Sequence, residues 1–303
     1  IFTNLSPEHL DYHRDLNSYF IAKSKLFRNL PKEGFAILNI DDACAPELAK
    51  LTEAYVITYG LSNSAEVCAR ESKFCLGGIE FTLCLRERTS KSFSGGINSI
   101  DIKSSLIGKH NLYNILAAAT FGLTQKIKPE IIKAGIEKIS GVPGRLERVS
   151  TDKDFYVFVD YAHTEDALKN AIASLRPLCK GRLYVVFGCG GNRDKSKRPK
   201  MGKVASELAD LAIVTSDNPR SEEPEKIIED IVSGISKQNF KVFPDRGEAI
   251  KQALSRAKKD DIILIAGKGH ENYQIFRDKI IHFDDREVVR GVLGEKRCLD
   301  SKK

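Results

Sequence analysis

The second half of the chain alternates short apolar runs with amphipathic stretches. The runs at 155–159, 183–187, 212–215, 241–243 and 262–266 show no polar–apolar alternation, which predicts strands buried on both faces. Helical spacing of apolar residues predicts helices through 167–178, near 201–208, over 224–235 and over 247–257. Asp278-Lys279 predicts a hairpin turn, and 286–293 a closing helix. Repeated strand–helix units predict a parallel sheet with helices on both faces.

The first half is less regular. A helix near 16–30 precedes strands at 36–40, 55–59 and 79–85, then helices through 111–123 and over 129–139. Gly141-Val142-Pro143-Gly144 is the natural break between the halves, giving domains of 1–142 and 143–303. The chain opens without Met on Ile1-Phe2-Thr3-Asn4, which reads as the end of a strand already in progress and so as a fragment.

Four predicted strands of the second half end in polar clusters. Asp160-Tyr161-Ala162-His163-Thr164 follows the first, and Gly188-Cys189-Gly190-Gly191-Asn192-Arg193-Asp194 the second. Asp217-Asn218-Pro219-Arg220 follows the third, and Gly267-Lys268-Gly269-His270-Glu271 the last. Carboxyl ends of parallel strands share one edge, so the clusters should converge on one ligand cleft. Pro219 ends its strand and biases Asn218 toward an extended conformation, leaving an amide and a guanidinium at the edge. Arginine pairs bidentately with carboxylate or phosphate, so that loop is suited to an anionic group. Glycines in the other loops let backbone N–H groups approach a phosphate or carboxylate.

Composition narrows the ligand. The formal charge is +7, from 48 basic and 41 acidic residues, with 42% hydrophobic and 29% charged content. A modest, dispersed basic excess suits small anions such as nucleotides better than nucleic acid. No apolar run approaches a membrane span. Seven cysteines, at 44, 68, 75, 84, 179, 189 and 298, form no C-x-x-C pair. That predicts reduced thiols, mostly in the core, in a cytoplasmic protein.

Two features of the first half bear on chemistry. Leu16, Tyr19, Phe20, Leu26, Phe27 and Leu30 predict one apolar helix face, and Lys23 falls on it while Lys25 points away. Lys23 either snorkels to the edge of that face or is buried, with its pKa lowered enough to react as a neutral amine. Such an amine adds carbon dioxide to give a carbamate, an oxygen donor suited to Mg²⁺, and His9 upstream could supply a second contact. In Lys109-His110-Asn111-Leu112-Tyr113-Asn114, Asn111 reads as a helix N-cap. Asn114 is either a surface residue or an amide facing a purine edge. Gly108-Lys109-His110 and the Gly188 loop both fail the P-loop pattern, so this chain carries none.

Taken together, T-N-L-S-P-E-H-L-D-Y-H, A-K-S-K-L-F, N-I-D-D, G-K-H-N-L-Y-N-I-L-A-A, G-R-L-E, V-D-Y-A-H-T, G-C-G-G-N-R-D-K-S-K-R-P, S-D-N-P-R-S-E-E-P and G-K-G-H-E-N-Y-Q resemble the Mur ligase family, from Thr3 to about Val289. The resemblance implies an α/β chain: part of the central P-loop-type ATP-binding domain followed by a Rossmann-like amino-acid-binding domain. The UDP-sugar domain and the P-loop half of the central domain would be missing.

The activity implied is ATP-dependent addition of meso-diaminopimelate to UDP-N-acetylmuramoyl-L-alanyl-D-glutamate through an acyl phosphate, with Mg²⁺, in the cytoplasm, by a monomer that engages neither nucleic acid nor membrane. Alternatives are an L-lysine-adding ligase of the same family, or a non-catalytic nucleotide- or amino-acid-binding fragment. By position the resemblance makes Lys23 the carbamylated lysine and His9 a metal-associated residue. It gives Asn111, Asn114, Asp160 and Lys195 to ATP. Arg193, Asp217, Asn218, Pro219, Arg220, Gly267 and Glu271 go to the amino acid. Diaminopimelate carries a second carboxylate beside its distal amine, so Arg220 with Asn218 would hold that carboxylate and Glu271 an ammonium. Glu165 and Asn192 depart from the family's usual Pro and Asp; the first should alter only a helix start, and the second leaves a contact open.

Overall fold

The computed structural model describes residues 1–5 and 15–294, which form two compact units divided between Ser140 and Gly141. His9 and Cys298 lie outside the described residues.

The first unit contains α1 (Leu16–Arg28), β1 (Phe35–Asn39), α2 (Ala45–Leu51), β2 (Tyr55–Gly60), β3 (Val67–Cys75), β4 (Gly78–Leu85), α3 (Glu87–Phe93), β5 (Ser99–Ser104), α4 (Lys109–Thr124) and α5 (Pro129–Lys138). Its five strands lie in sequence order. Strands β1, β2 and β3 run parallel; β3, β4 and β5 run antiparallel. Alternation along β1 splits its burial. Ile37 joins the core beneath α4 and α5, while Ala36 and Leu38 face Phe20, Phe27 and Leu48 of α1 and α2. Phe2 bridges to Leu38 in parallel register. Strands β3 and β5 escaped the sequence reading because polar residues fill their outer face, as in Ser99-Ile100-Asp101-Ile102-Lys103-Ser104.

In helix α1, Lys23 lies beside the buried stripe and not within it. Asp15 caps the helix, its carboxylate accepting from the Ser18 N–H at 2.7 Å. The buried stripe is Phe20, Ser24 and Phe27, at i, i+4 and i+7, and Leu16 and Leu26 are exposed. Lys23 stands about 60° round the helix from Phe20. It is exposed, with Nζ 4.8 Å from the Tyr19 ring centroid.

The second unit contains β6 (Glu147–Val149), β7 (Tyr156–Asp160), α6 (Glu165–Leu175), β8 (Leu183–Phe187), α7 (Lys197–Leu208), β9 (Leu211–Val214), α8 (Pro224–Val232), β10 (Phe240–Val242), α9 (Arg246–Arg256), β11 (Ile262–Ala266), β12 (Tyr273–Ile275), β13 (Ile280–His282) and α10 (Asp285–Leu293). The main sheet has six strands in the order β10-β9-β8-β11-β7-β6. All neighbours are parallel except β6, an antiparallel edge with no counterpart in the sequence reading. Val157, Val186, Ile213 and Ile263 face a core with Ile250 and Ala253 of α9 and Val289 of α10. Phe158, Val185 and Leu264 on the opposite face are equally buried, which is why these strands lack alternation. Strands β12 and β13 form the hairpin predicted at Asp278-Lys279. Glu165 opens α6 behind the Thr164 cap, so the change at that position is absorbed at the helix start.

The six described cysteines are free thiols. Only Cys68 and Cys189 are buried, against the expectation of a mostly core set. Cys75 is exposed because β3 leaves the core beyond the irregularity between Arg70 and Lys73. Burial pushes the Cys189 thiol up to about 12.

Candidate functional site

In the second unit, β11 slots between β7 and β8 while the chain otherwise steps from β8 to β9 to β10. This is a topological switch point, where the carboxyl ends of an open α/β sheet leave a crevice. The four polar clusters all leave that edge.

Asn218 is buried and fully engaged at the centre. Its Nδ2 donates to Glu271 Oε2 at 2.9 Å, and its Oδ1 accepts from Lys268 Nζ at 3.2 Å and from the Ile275 N–H at 3.0 Å. The Asp217 carbonyl accepts from Gln274 Nε2 at 2.7 Å, and its carboxylate accepts from the Asn218 N–H at 2.6 Å. Gly267 has φ +114°, and a Cβ there would stand 2.6 Å from Asp217 Oδ2, so the third and last loops meet only because this residue is glycine. Arg220 also has a positive φ, +55°, and its N–H donates to the Ile275 carbonyl at 3.0 Å. Its Nη1 donates to the Gly191 carbonyl at 2.9 Å, anchoring the guanidinium between the second and third loops. The sequence-predicted residues Asp217, Asn218, Pro219, Arg220, Gly267 and Glu271 are therefore brought together. Arg193, on the same glycine loop, is exposed.

Behind the glycine loop lies a charge network. Arg198, fully buried, pairs with Glu222 through two bonds of 3.0 and 2.9 Å, and with Asp230 Oδ2 at 2.9 Å. Glu222 also accepts from the Asn192 N–H at 2.5 Å and pairs with Lys195 at 3.4 Å. The Arg198 bonds first, and the Asn192 N–H second, hold the Glu222 carboxyl down at about 2. Asn192, at φ +54°, accepts from the Ser221 hydroxyl at 2.9 Å, so it serves the loop's own geometry. Lys195 is exposed beside it. At the end of β7, Asp160 accepts from the Leu146 N–H at 2.7 Å and the Ala162 N–H at 2.8 Å.

Deeper still, Arg246 and Asp285 form a wholly buried pair with bonds of 2.7 Å from Nε and Nη2. Arg246 also donates to the Ala266 carbonyl at 3.0 Å and the Ser216 carbonyl at 3.4 Å, tying together the roots of the third and last loops. Sequence reasoning missed Arg198, Arg246, Gln274 and Lys268. Lys268 alone carried a signal: a lysine between two glycines at the end of an apolar strand.

The first unit has its own pocket of about 310 Å³, lined by Asn4, Asn39, Asp41, His110, Tyr113 and Asn114 among others. Asp41 accepts from the Tyr113 hydroxyl at 2.9 Å, and burial, then this bond, raises the phenol to about 12. Asn111 is not the N-cap. Gly108 occupies that position, at φ +94°, which glycine tolerates, and Asn111 is buried one turn in. Its Nδ2 donates to the Ile107 carbonyl at 2.8 Å, and its Oδ1 accepts from Asn114 Nδ2 at 3.3 Å. Asn114 therefore faces the pocket with its amide orientation set by Asn111.

No group of three or more His, Cys, Asp or Glu among the described residues is arranged to hold a metal, and Lys23 is exposed.

Residues 1–122 match the Mur ligase middle domain, and residues 144–269 match the Mur ligase glutamate ligase domain. A relative in Clostridium acetobutylicum, UDP-N-acetylmuramoyl-L-alanyl-D-glutamate–2,6-diaminopimelate ligase 1, is 47% identical over 97% of this chain and 59% of its own length. The like-named ligase of Bacillus cereus is 44% identical over 96% of this chain and 58% of its own length. A solved structure of such a diaminopimelate ligase is 36% identical, with a TM-score of 0.65 over 96% of this chain and 59% of its own. The MurF ligase of Thermotoga maritima in complex with ADP, 15% identical, shares the fold at a TM-score of 0.68 over 97% of this chain and 62% of its own. The chain thus spans under two thirds of the length of these relatives.

Proposed function

The chain belongs to the Mur ligase family, and from that premise we propose that it is part of an ATP-dependent ligase joining meso-diaminopimelate to UDP-N-acetylmuramoyl-L-alanyl-D-glutamate. The observation that carries this reading is the bonded cluster of Asn218, Glu271 and Arg220 at one sheet edge. A carboxylate and a guanidinium that share Asn218 as a neighbour support a ligand carrying both an ammonium and a carboxylate. Lysine has no distal carboxylate, so an arginine there favours diaminopimelate. The names of the relatives at 43–47% identity support the same substrate.

In the proposed reaction, the dipeptide carboxylate attacks the ATP γ-phosphorus, ADP departs, and an acyl phosphate forms. The neutral amine of diaminopimelate attacks the acyl carbon, phosphate leaves, and one amine proton passes to the released phosphate or water, giving the amide bond. The residues of this chain bind and orient. Arg220 holds the distal carboxylate and Glu271 an ammonium, with Asp217, Pro219 and Gly267 shaping the loops between them and Arg193 reaching in from the glycine loop. Asn114 addresses the adenine, with Asn111 fixing its amide, and Asp160 and Lys195 serve the ribose and phosphate side of ATP. Mg²⁺, when bound, offsets the negative charge of the phosphates. By resemblance, Lys23 and His9 would hold it. The basic excess suits nucleotide substrates, and no helix among the described residues is long and apolar enough to cross a membrane. A monomer acting in the cytoplasm is part of the proposal.

The test is amino-acid-dependent phosphate release by the full-length protein. Turnover with diaminopimelate and little with L-lysine is expected; the reverse preference overturns the substrate, and turnover with neither overturns the ligase reading. The 303-residue chain by itself is expected to be inactive.

A further inference from the structure

Lys268 is fully buried at the sheet edge, and none of the roles assigned so far uses it. Gly267 and Gly269 flank it with φ of +114° and +55°. A Cβ at either glycine would collide, with Asp217 Oδ2 at 2.6 Å and with Tyr161 Cβ at 2.7 Å. The backbone is therefore held in a path that only glycine follows easily, and that path buries the intervening lysine. A lysine is almost never wholly buried without partners. Here Nζ donates to Asn218 Oδ1 at 3.2 Å and Glu271 Oε2 at 3.3 Å, and stands 5.5 Å from the centroid of the Tyr273 ring.

These bonds constrain both acceptors. Asn218 Oδ1 receives two donors, Lys268 Nζ and the Ile275 N–H, so the amide has one satisfied orientation, with Nδ2 toward Glu271. On Glu271, both Asn218 and Lys268 bind Oε2, and Oε1 has no hydrogen bond among the described residues. The carboxylate is thereby pinned by one oxygen and offers the other. Lys268 also neutralises a carboxylate that is mostly withdrawn from water, its side chain being 17% exposed.

We propose that Lys268 is a positioning residue for the amino-acid substrate: it locks the Asn218 amide and pins Glu271 by Oε2, so that Oε1 is presented to the ligand's ammonium. This inference rests on the reading of the Asn218–Glu271 cluster as the amino-acid pocket. It differs from that reading in assigning the pocket's geometry to a lysine that never touches the ligand.

The test uses the full-length protein with Lys268→Met, and Lys268→Gln as the milder change should the first fail to fold. The KM for whichever amino acid the wild type incorporates should rise about ten- to a hundredfold. The KM values for ATP and for the nucleotide-linked dipeptide should stay within about twofold of wild type. A merely structural lysine would move all three with the melting temperature, and that result, or an unchanged amino-acid KM, overturns the inference. Crystal structures of the variants separate it from the ligase reading, since they need no turnover. Displacement of Glu271 or rotation of the Asn218 amide is expected, and both residues holding their wild-type positions overturns the inference even if the wild type proves inactive.

Discussion

The two units treat their candidate residues differently. In the second, Asn218, Lys268 and Glu271, up to 53 residues apart in the chain, are joined by bonds of 2.9–3.3 Å at one sheet edge. In the first, Lys23 lies exposed on the flank of α1, and Asn111 spends its amide on its own helix start. The contrast is geometric. Parallel strands bring every carboxyl end to one edge, so strand-end residues converge by topology. A helix position acquires its surroundings only from what packs on that side, which local spacing does not specify.

The contrast depends most on the support beneath the second unit's edge. Arg246→Met leaves Asp285 buried without its partner and should cost about 3–5 kcal/mol in stability, read by urea unfolding. A much smaller loss would mean that the loops do not depend on this pair. Next, Arg220→Ala should lower kcat/KM for diaminopimelate about a hundredfold in the full-length protein while leaving thermal stability close to wild type. Equal loss with every substrate would remove Arg220 from the amino-acid pocket.

Glu222→Gln should cost about 2 kcal/mol, the scale of hydrogen bonds to a charged partner. Its folded carboxyl lies at about 2, below the ordinary 4.5, so the charged form is favoured by folding. That stabilisation is complete above pH 4.5 and is lost as pH falls from there toward 2. The gap between wild type and Glu222→Gln in unfolding experiments should therefore shrink across that window, and a gap independent of pH would argue against the ion pair. The smallest effect belongs to the first unit. Lys23→Ala should change stability by less than about 0.5 kcal/mol, as for an exposed side chain, whatever it does to activity. A large loss would show Lys23 to be packed after all.

Most of the second unit was legible in advance because buried parallel strands announce themselves as unbroken apolar runs. Ile262–Ala266 and Leu183–Phe187 were located to the residue. Strands with a polar outer face, such as Ser99–Ser104, were not, nor was the antiparallel edge at Glu147–Val149, because three residues carry too little pattern. The loop residues of the candidate pocket were legible as residue types at strand ends. Their supports were not: Arg198 and Arg246 look like ordinary surface cations in sequence, Lys268 is marked only by its two flanking glycines, and all three are fully buried.

Periodicity and turn chemistry are local, so the α/β class, the break near Gly141 and the sheet edge where the strand-end polar clusters gather could be read directly from the residues. Packing alone shows which cations are buried, which oxygen of Glu271 is bonded by Asn218 and Lys268, and which way Lys23 faces. Those depend on partners distant in the chain, such as Asp285 for Arg246 and Glu222 for Arg198, and on the desolvation that packing imposes.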